Sequence, residues 1–135
     1  MYRPQIYVNL PAEDLARSVR FFTALGFRFD PQFTDENATA MIIGEDSFVM
    51  LLVKPFFRTF TRKRLCGPDH TGAIIALSQP DRAAVDAIVA KACAAGGSAP
   101  NAPVDHGFMY QHGFEDPDGH LWEVLHMDAS AFPVR

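Results

Sequence analysis

The same order of element signals occurs twice in this chain, and that repeat limits the fold more than any single motif. Leu10, Asp14 and Ala16 return, with their spacing intact, as Leu77, Asp81 and Ala83. Gly26, which ends a helical pattern, returns at a slightly larger offset as Gly96, so the second helix is expected to be about one turn longer. In the first copy, residues 5–10 are β-branched and aromatic and read as a strand. Pro11 is expected at the first helical position, with Glu13 and Asp14 in the opening turn. Leu15, Val19 and Phe22 recur at helical spacing, and strands are expected over 27–33, 38–43 and 47–54.

The second copy opens with an apolar strand over 72–78. Ser78 is expected to cap the next helix through a Ser-x-x-Asp box, with Val85, Val89 and Ala92 on its core face and Gly96-Gly97 stopping it. Strands are expected near 98–104, 107–115 and 120–127. The predicted fold is therefore α+β, two tandem βαβββ modules, with one domain over 1–135, modules over 4–54 and 71–128, and a basic linker over 55–70. That linker, with the residue before it, carries Lys54, Arg58, Arg62, Lys63 and Arg64, five of the chain's twelve Lys and Arg. It reads either as a solvated connector or as a lid that draws an anionic ligand.

Charge and cysteine content narrow the function classes. Sixteen acids against twelve Lys and Arg give a net charge of −4, which argues against a nucleic-acid partner. Cys66 and Cys93 are too few for a disulfide framework, and the N-terminus has no export signature, so the expected compartment is cytoplasmic. No apolar run is long enough to span a bilayer, so no membrane partner is expected.

The segment Phe114-Glu-Asp-Pro-Asp-Gly-His-Leu-Trp-Glu-Val-Leu125 reads as a hairpin. Its turn is Asp116–Gly119, with a bulge at Gly119. Together with Leu10-Pro-Ala-Glu-Asp-Leu15 and Phe21-Phe-Thr-Ala-Leu-Gly-Phe27, this hairpin resembles the vicinal oxygen chelate superfamily of glyoxalases, bleomycin-resistance proteins and extradiol dioxygenases. The resemblance runs from about residue 4 to 128 and implies curved mixed sheets around a cavity. It also implies a divalent metal held from strands one, four, five and eight. The matching positions are Tyr7, Met50, Ile74 and Glu123, of which Glu123 alone is a credible ligand for a hard cation. No metal cofactor is therefore expected.

The histidines are the alternative ligands. His70, His106, His120 and His126 read as loop or end residues. With a bulged three-residue loop, His112 points to the opposite sheet face with Trp122 and Val124; with a two-residue loop it sits opposite Glu123. Under the first register, the cavity face collects Tyr7, Asn9, Met50, Leu52, Ile74, Met109, Gln111 and Gly113 around Glu123. That is an apolar bowl with a few polar groups, the usual makeup of a ligand site. Glu123 is the catalytic candidate, and its simplest structural role is a hydrogen bond to Tyr7 or Gln111.

Three functions compete. The leading one is binding of a small molecule without a metal, either sequestering it or acting on it without an ion, with an anionic ligand the one the basic linker would draw. The second is a metal-dependent lyase or dioxygenase with a rearranged ligand set. The third is a dimeric protein without a small ligand. A homodimer is expected, with Tyr110, Phe114 and Trp122 as aromatic support on the outer sheet faces.

Overall fold

The computed structural model describes residues 1–131 and divides into two compact units, Met1–Cys66 and Gly67–Arg135. Each holds one four-stranded mixed sheet, so both tandem modules are present.

In the first unit, β1 (Ile6–Ala12) lies parallel to β4 (Ser47–Val53), which pairs antiparallel with β3 (Ala38–Ile42) and then β2 (Arg28–Asp30), in the order β1-β4-β3-β2. The helix α1 (Leu15–Ala24) starts later than expected. Pro11 and Ala12 extend the strand, pairing with Leu52 and Val53. Pro11 is tolerated there because β1 is an edge strand. The helix is then capped by Asp14, whose carboxylate accepts from Arg17 N–H at 3.1 Å. Strand β2 stops at Asp30, because Pro31 cannot continue the ladder and opens a 3₁₀ turn capped by Asp30. Phe21 and Phe22 of α1 are buried with Leu10, Met41, Val49 and Leu51.

The second unit repeats this plan as β5-β8-β7-β6, from β5 (Ile74–Ser78), α3 (Arg82–Ala94), β6 (Val104–Asp105), β7 (Met109–Glu115) and β8 (Leu121–Met127). Ser78 is not the cap. It is the last residue of β5, and Asp81 caps α3 by accepting from Ala84 N–H at 2.7 Å. The expected strand over 98–104 shrinks to an isolated bridge between Ser98 and Glu115 plus the two-residue β6.

Both helices end in the same way. Gly26 adopts a φ of +101° and Gly96 a φ of +106°. The next residues, Phe27 and Gly97, donate to the carbonyls of Phe22 and Ala92. Caps and terminating glycines recur in the same order in both units, so the sequence repeat is a repeat of helix start and stop signals.

A short helix, α2 (Lys54–Phe57), and a 3₁₀ turn over Arg58–Phe60 follow β4, so the front of the basic linker has defined structure. Among the described residues, no helix is long and apolar enough to cross a membrane.

Candidate functional site

Strand alternation gives each sheet a helix-bearing face and an open face. In the first unit, α1 shares a groove with Thr39 and Val53, which places the helix on the side of Leu10, Val49 and Leu51. Tyr7, Asn9, Met50 and Leu52 therefore share the face turned away from the helix. Tyr7 lies over Phe48, with ring centroids 5.0 Å apart, and its hydroxyl donates to Gln5 Oε1 at 2.9 Å. Asn9 pairs with Met50, and Leu52 is buried beside Ala38.

In the second unit, the Tyr110 hydroxyl donates to Asp86 on α3 at 2.6 Å, which fixes the helix side of that sheet. Ile74, Met109, Gln111, Gly113 and Glu123 occupy the opposite, open face. The register is that of a bulged loop: Gly119 has φ +83°, Asp116 N–H donates to His120 O, Gly113 faces Glu123 and Gln111 faces Leu125. His112 consequently lies on the helix side, where its Nε2 donates to Asn101 O at 3.0 Å.

Glu123 occupies the central row of this face. Its lateral neighbours are Ala76 and Gly113, the two smallest side chains available to a strand. A methyl group added at Gly113 would lie 3.1 Å from the Trp122 backbone oxygen, a tight contact, and 3.8 Å from Glu123 Cγ, an ordinary one, so it is the neighbouring backbone that glycine accommodates. Among the described residues, the half-buried Glu123 makes no hydrogen bond or ion pair, so the expected bond to Gln111 is not formed.

Three other acids of the molecule have assigned partners. Glu13 is ion-paired to Lys54 at 2.7 Å, which holds its carboxyl below the usual range. Asp105 is gripped by the Arg82 guanidinium and accepts from Gly107 N–H, which brings its pKa down to about 2. Asp116 is buried at the hairpin turn. One oxygen accepts from Asp118 and His120 N–H and the other from Trp122 Nε1 at 3.0 Å. Burial raises its pKa, opposed by the nearby His120 and the Trp122 donor.

The metal expected of this resemblance does not suit these residues. Ile74 offers no donor atom, Met50 only a soft thioether, and the Tyr7 hydroxyl is committed to Gln5. Asp116, Asp118 and His120 do bring ligand atoms within 4.8 Å of one another, but at the turn rather than on the open face. Asp116 there already serves as the turn's acceptor. Its link to Trp122 was missed from sequence, although an Asp six residues before a core indole on the same hairpin is a readable signal.

The aromatic support for a dimer also changes meaning. Phe114 and Trp122 are fully buried within the single chain, and Tyr110 is held by Asp86 and lies under Arg82. A further concavity of about 940 Å³, which the sequence did not suggest, is open to solvent on the α1 side, lined by Leu15, Val19, Thr39 and Val53.

Residues 5–124 match the model of the Glyoxalase/Bleomycin resistance protein/Dioxygenase superfamily. Among solved structures, hypothetical protein SA1046 from S. aureus is similar at 26% identity and TM-score 0.78, covering 93% of this chain and 94% of that one. A glyoxalase-related enzyme from Fulvimarina pelagi aligns at 17% identity and TM-score 0.78, over 99% and 94%. A glyoxalase/bleomycin resistance protein/dioxygenase family enzyme from Burkholderia phytofirmans PsJN aligns at 18% and 0.75, over 90% and 96%. No curated protein matches.

Proposed function

Because the chain belongs to the glyoxalase/bleomycin resistance protein/dioxygenase superfamily, we propose that it binds a small molecule on the open face of the second sheet, without the metal usual to such sites. The observation that carries this reading is Glu123, a half-buried carboxylate flanked by the small residues Ala76 and Gly113, with no partner among the described residues. A structural carboxylate would be engaged as Asp105 and Asp116 are. An unengaged one accepts a hydrogen bond from an incoming O–H or N–H, or takes a proton from it. Ile74, Met109 and Leu125 supply apolar contact area around it, and Gln111 a second polar group.

Assembly as a homodimer belongs to the same proposal. Its support is the large apolar side chains left exposed at Ile6 and Met127. Light scattering should give a mass near twice 15.0 kDa; a monomer mass contradicts this part.

The site is tested by thermal-shift titration with a panel of phenols, catechols and primary amines, comparing wild type with Glu123→Gln. A compound that stabilises wild type should bind Glu123→Gln about tenfold or more weakly, the worth of a hydrogen bond to a charged group. The unliganded proteins should melt together. Equal responses in the two proteins would place the ligand elsewhere.

A further inference from the structure

The five cations that close the first unit have a feature the ligand site does not use. Between Asp46 and Asp69 there is no carboxylate at all, while Lys54, Arg58, Arg62, Lys63 and Arg64 fall inside that stretch. Lys54 is committed to Glu13, and Arg58 adds its field at the same acid. Arg62, Lys63 and Arg64 are exposed and make no ion pair among the described residues. The rest of the chain is acidic: its seven other Lys and Arg face sixteen acids, a net charge of −9. The densest run of positive charge in the chain is thus this short strip.

Apolar side chains alternate with those cations. Phe60 is 69% exposed and edge-on to Phe56, with centroids 5.3 Å apart; Phe57 and Leu65 are half-buried nearby in the chain. Two hydroxyl contacts hold the strip's backbone, Thr59 to Phe56 O at 2.7 Å and Lys63 N–H to Thr61 Oγ1 at 3.1 Å. From this juxtaposition we infer that residues 56–65 form a peripheral docking surface for an anionic lipid bilayer, with Phe60 entering the interface and Arg62–Arg64 meeting the headgroup phosphates. Such a contact needs no membrane-spanning segment.

Basic residues alone bind any polyanion. The interleaved apolar set favours a bilayer, since membrane association needs buried apolar area as well as charge. A polynucleotide would instead need a groove tracking its backbone. At physiological salt the attraction reaches only about 8 Å, so the strip acts locally despite the negative net charge.

The test is co-sedimentation of the full chain with vesicles of phosphatidylcholine, with and without about a quarter of phosphatidylglycerol. Wild type should bind the anionic vesicles only, and the Arg62→Gln/Lys63→Gln/Arg64→Gln variant on the order of a hundredfold more weakly. Phe60→Ser should lose about tenfold while keeping the salt dependence. Phe60→Trp should show a blue-shifted emission component on anionic vesicles, a readout that does not depend on the triple variant folding. Equal sedimentation with both vesicle types, or none with either, overturns the inference. So does tight binding to single-stranded DNA with no Phe60→Trp shift on vesicles.

Discussion

The two modules share caps, terminating glycines and strand order, yet they fill their cores from opposite sides. In the first, the helix brings the large rings, Phe21 and Phe22, and the sheet answers with Val49, Leu51 and Met41. In the second, the helix buries only Val85, Ile88, Val89 and Ala92, and the sheet supplies Phe114 and Trp122. The source of the bulk is exchanged while each core stays filled, as close packing requires. The exchange also separates the open faces. The first module's face has Met50 where the second has Glu123, each beside the short residue of its parallel partner strand, Asn9 or Ala76.

The sharpest way to break this comparison is to delete the rings. Trp122→Ala and Phe22→Ala should each cost about 3–5 kcal/mol in chemical denaturation, because neither neighbouring element holds a spare large side chain to fill the void. A loss under about 1 kcal/mol at either position would show that its module repacks, contrary to the division of volume described here.

Next in size is the buried acid of the β7–β8 hairpin turn; among the described residues the corresponding β3–β4 turn of the first module buries no acid. Asp116→Ala removes the acceptor for Trp122 Nε1 and for two backbone N–H groups. The indole donor alone should cost about 1–3 kcal/mol when left unsatisfied. Trp122→Phe removes that donor too, so the double variant should lose less than the sum of the singles. Additive losses would mean the two groups act separately.

Much of this was legible beforehand, for a physical reason. Helix caps and positive-φ glycines are local chemistry, so Asp14, Asp81, Gly26 and Gly96 marked the repeat directly. The register that places Glu123 beside Gly113 followed from one turn, because a three-residue loop with a bulge at Gly119 leaves no freedom in pairing. Errors came where two local rules competed. Pro11 satisfies both a helix start and an edge strand, and Ser78 and Asp81 can each cap, so tertiary pairing decided. Burial of Phe114 and Trp122 was not legible, since alternation says which face a ring takes but not what covers it. The absence of a partner for Glu123 lay equally out of reach, because it depends on side-chain distances.

A smaller effect separates two aspartates of the second module by sign. Asp105 has a pKa lowered to about 2 by Arg82, so it favours the folded state above its unfolded value near 3.8. That contribution is lost as pH falls from about 4 toward 2. Asp116, raised by burial, contributes in the opposite direction: its stabilisation is present when protonated and erodes as pH rises through the folded value. Asp105→Asn should therefore flatten the acid limb of the stability profile and increase amide exchange over residues 104–107. An unchanged acid limb would show that the Arg82 contact contributes nothing to folding.

On the second module's open face we assign the work to Glu123 and not to a divalent ion, since Ile74 there offers no donor atom. Elemental analysis of protein purified without chelator tests it most directly. The expected result is well under one equivalent of Zn, Ni, Mn or Fe per chain, unchanged in Glu123→Ala. About one equivalent per chain, lost in Glu123→Ala, would contradict it.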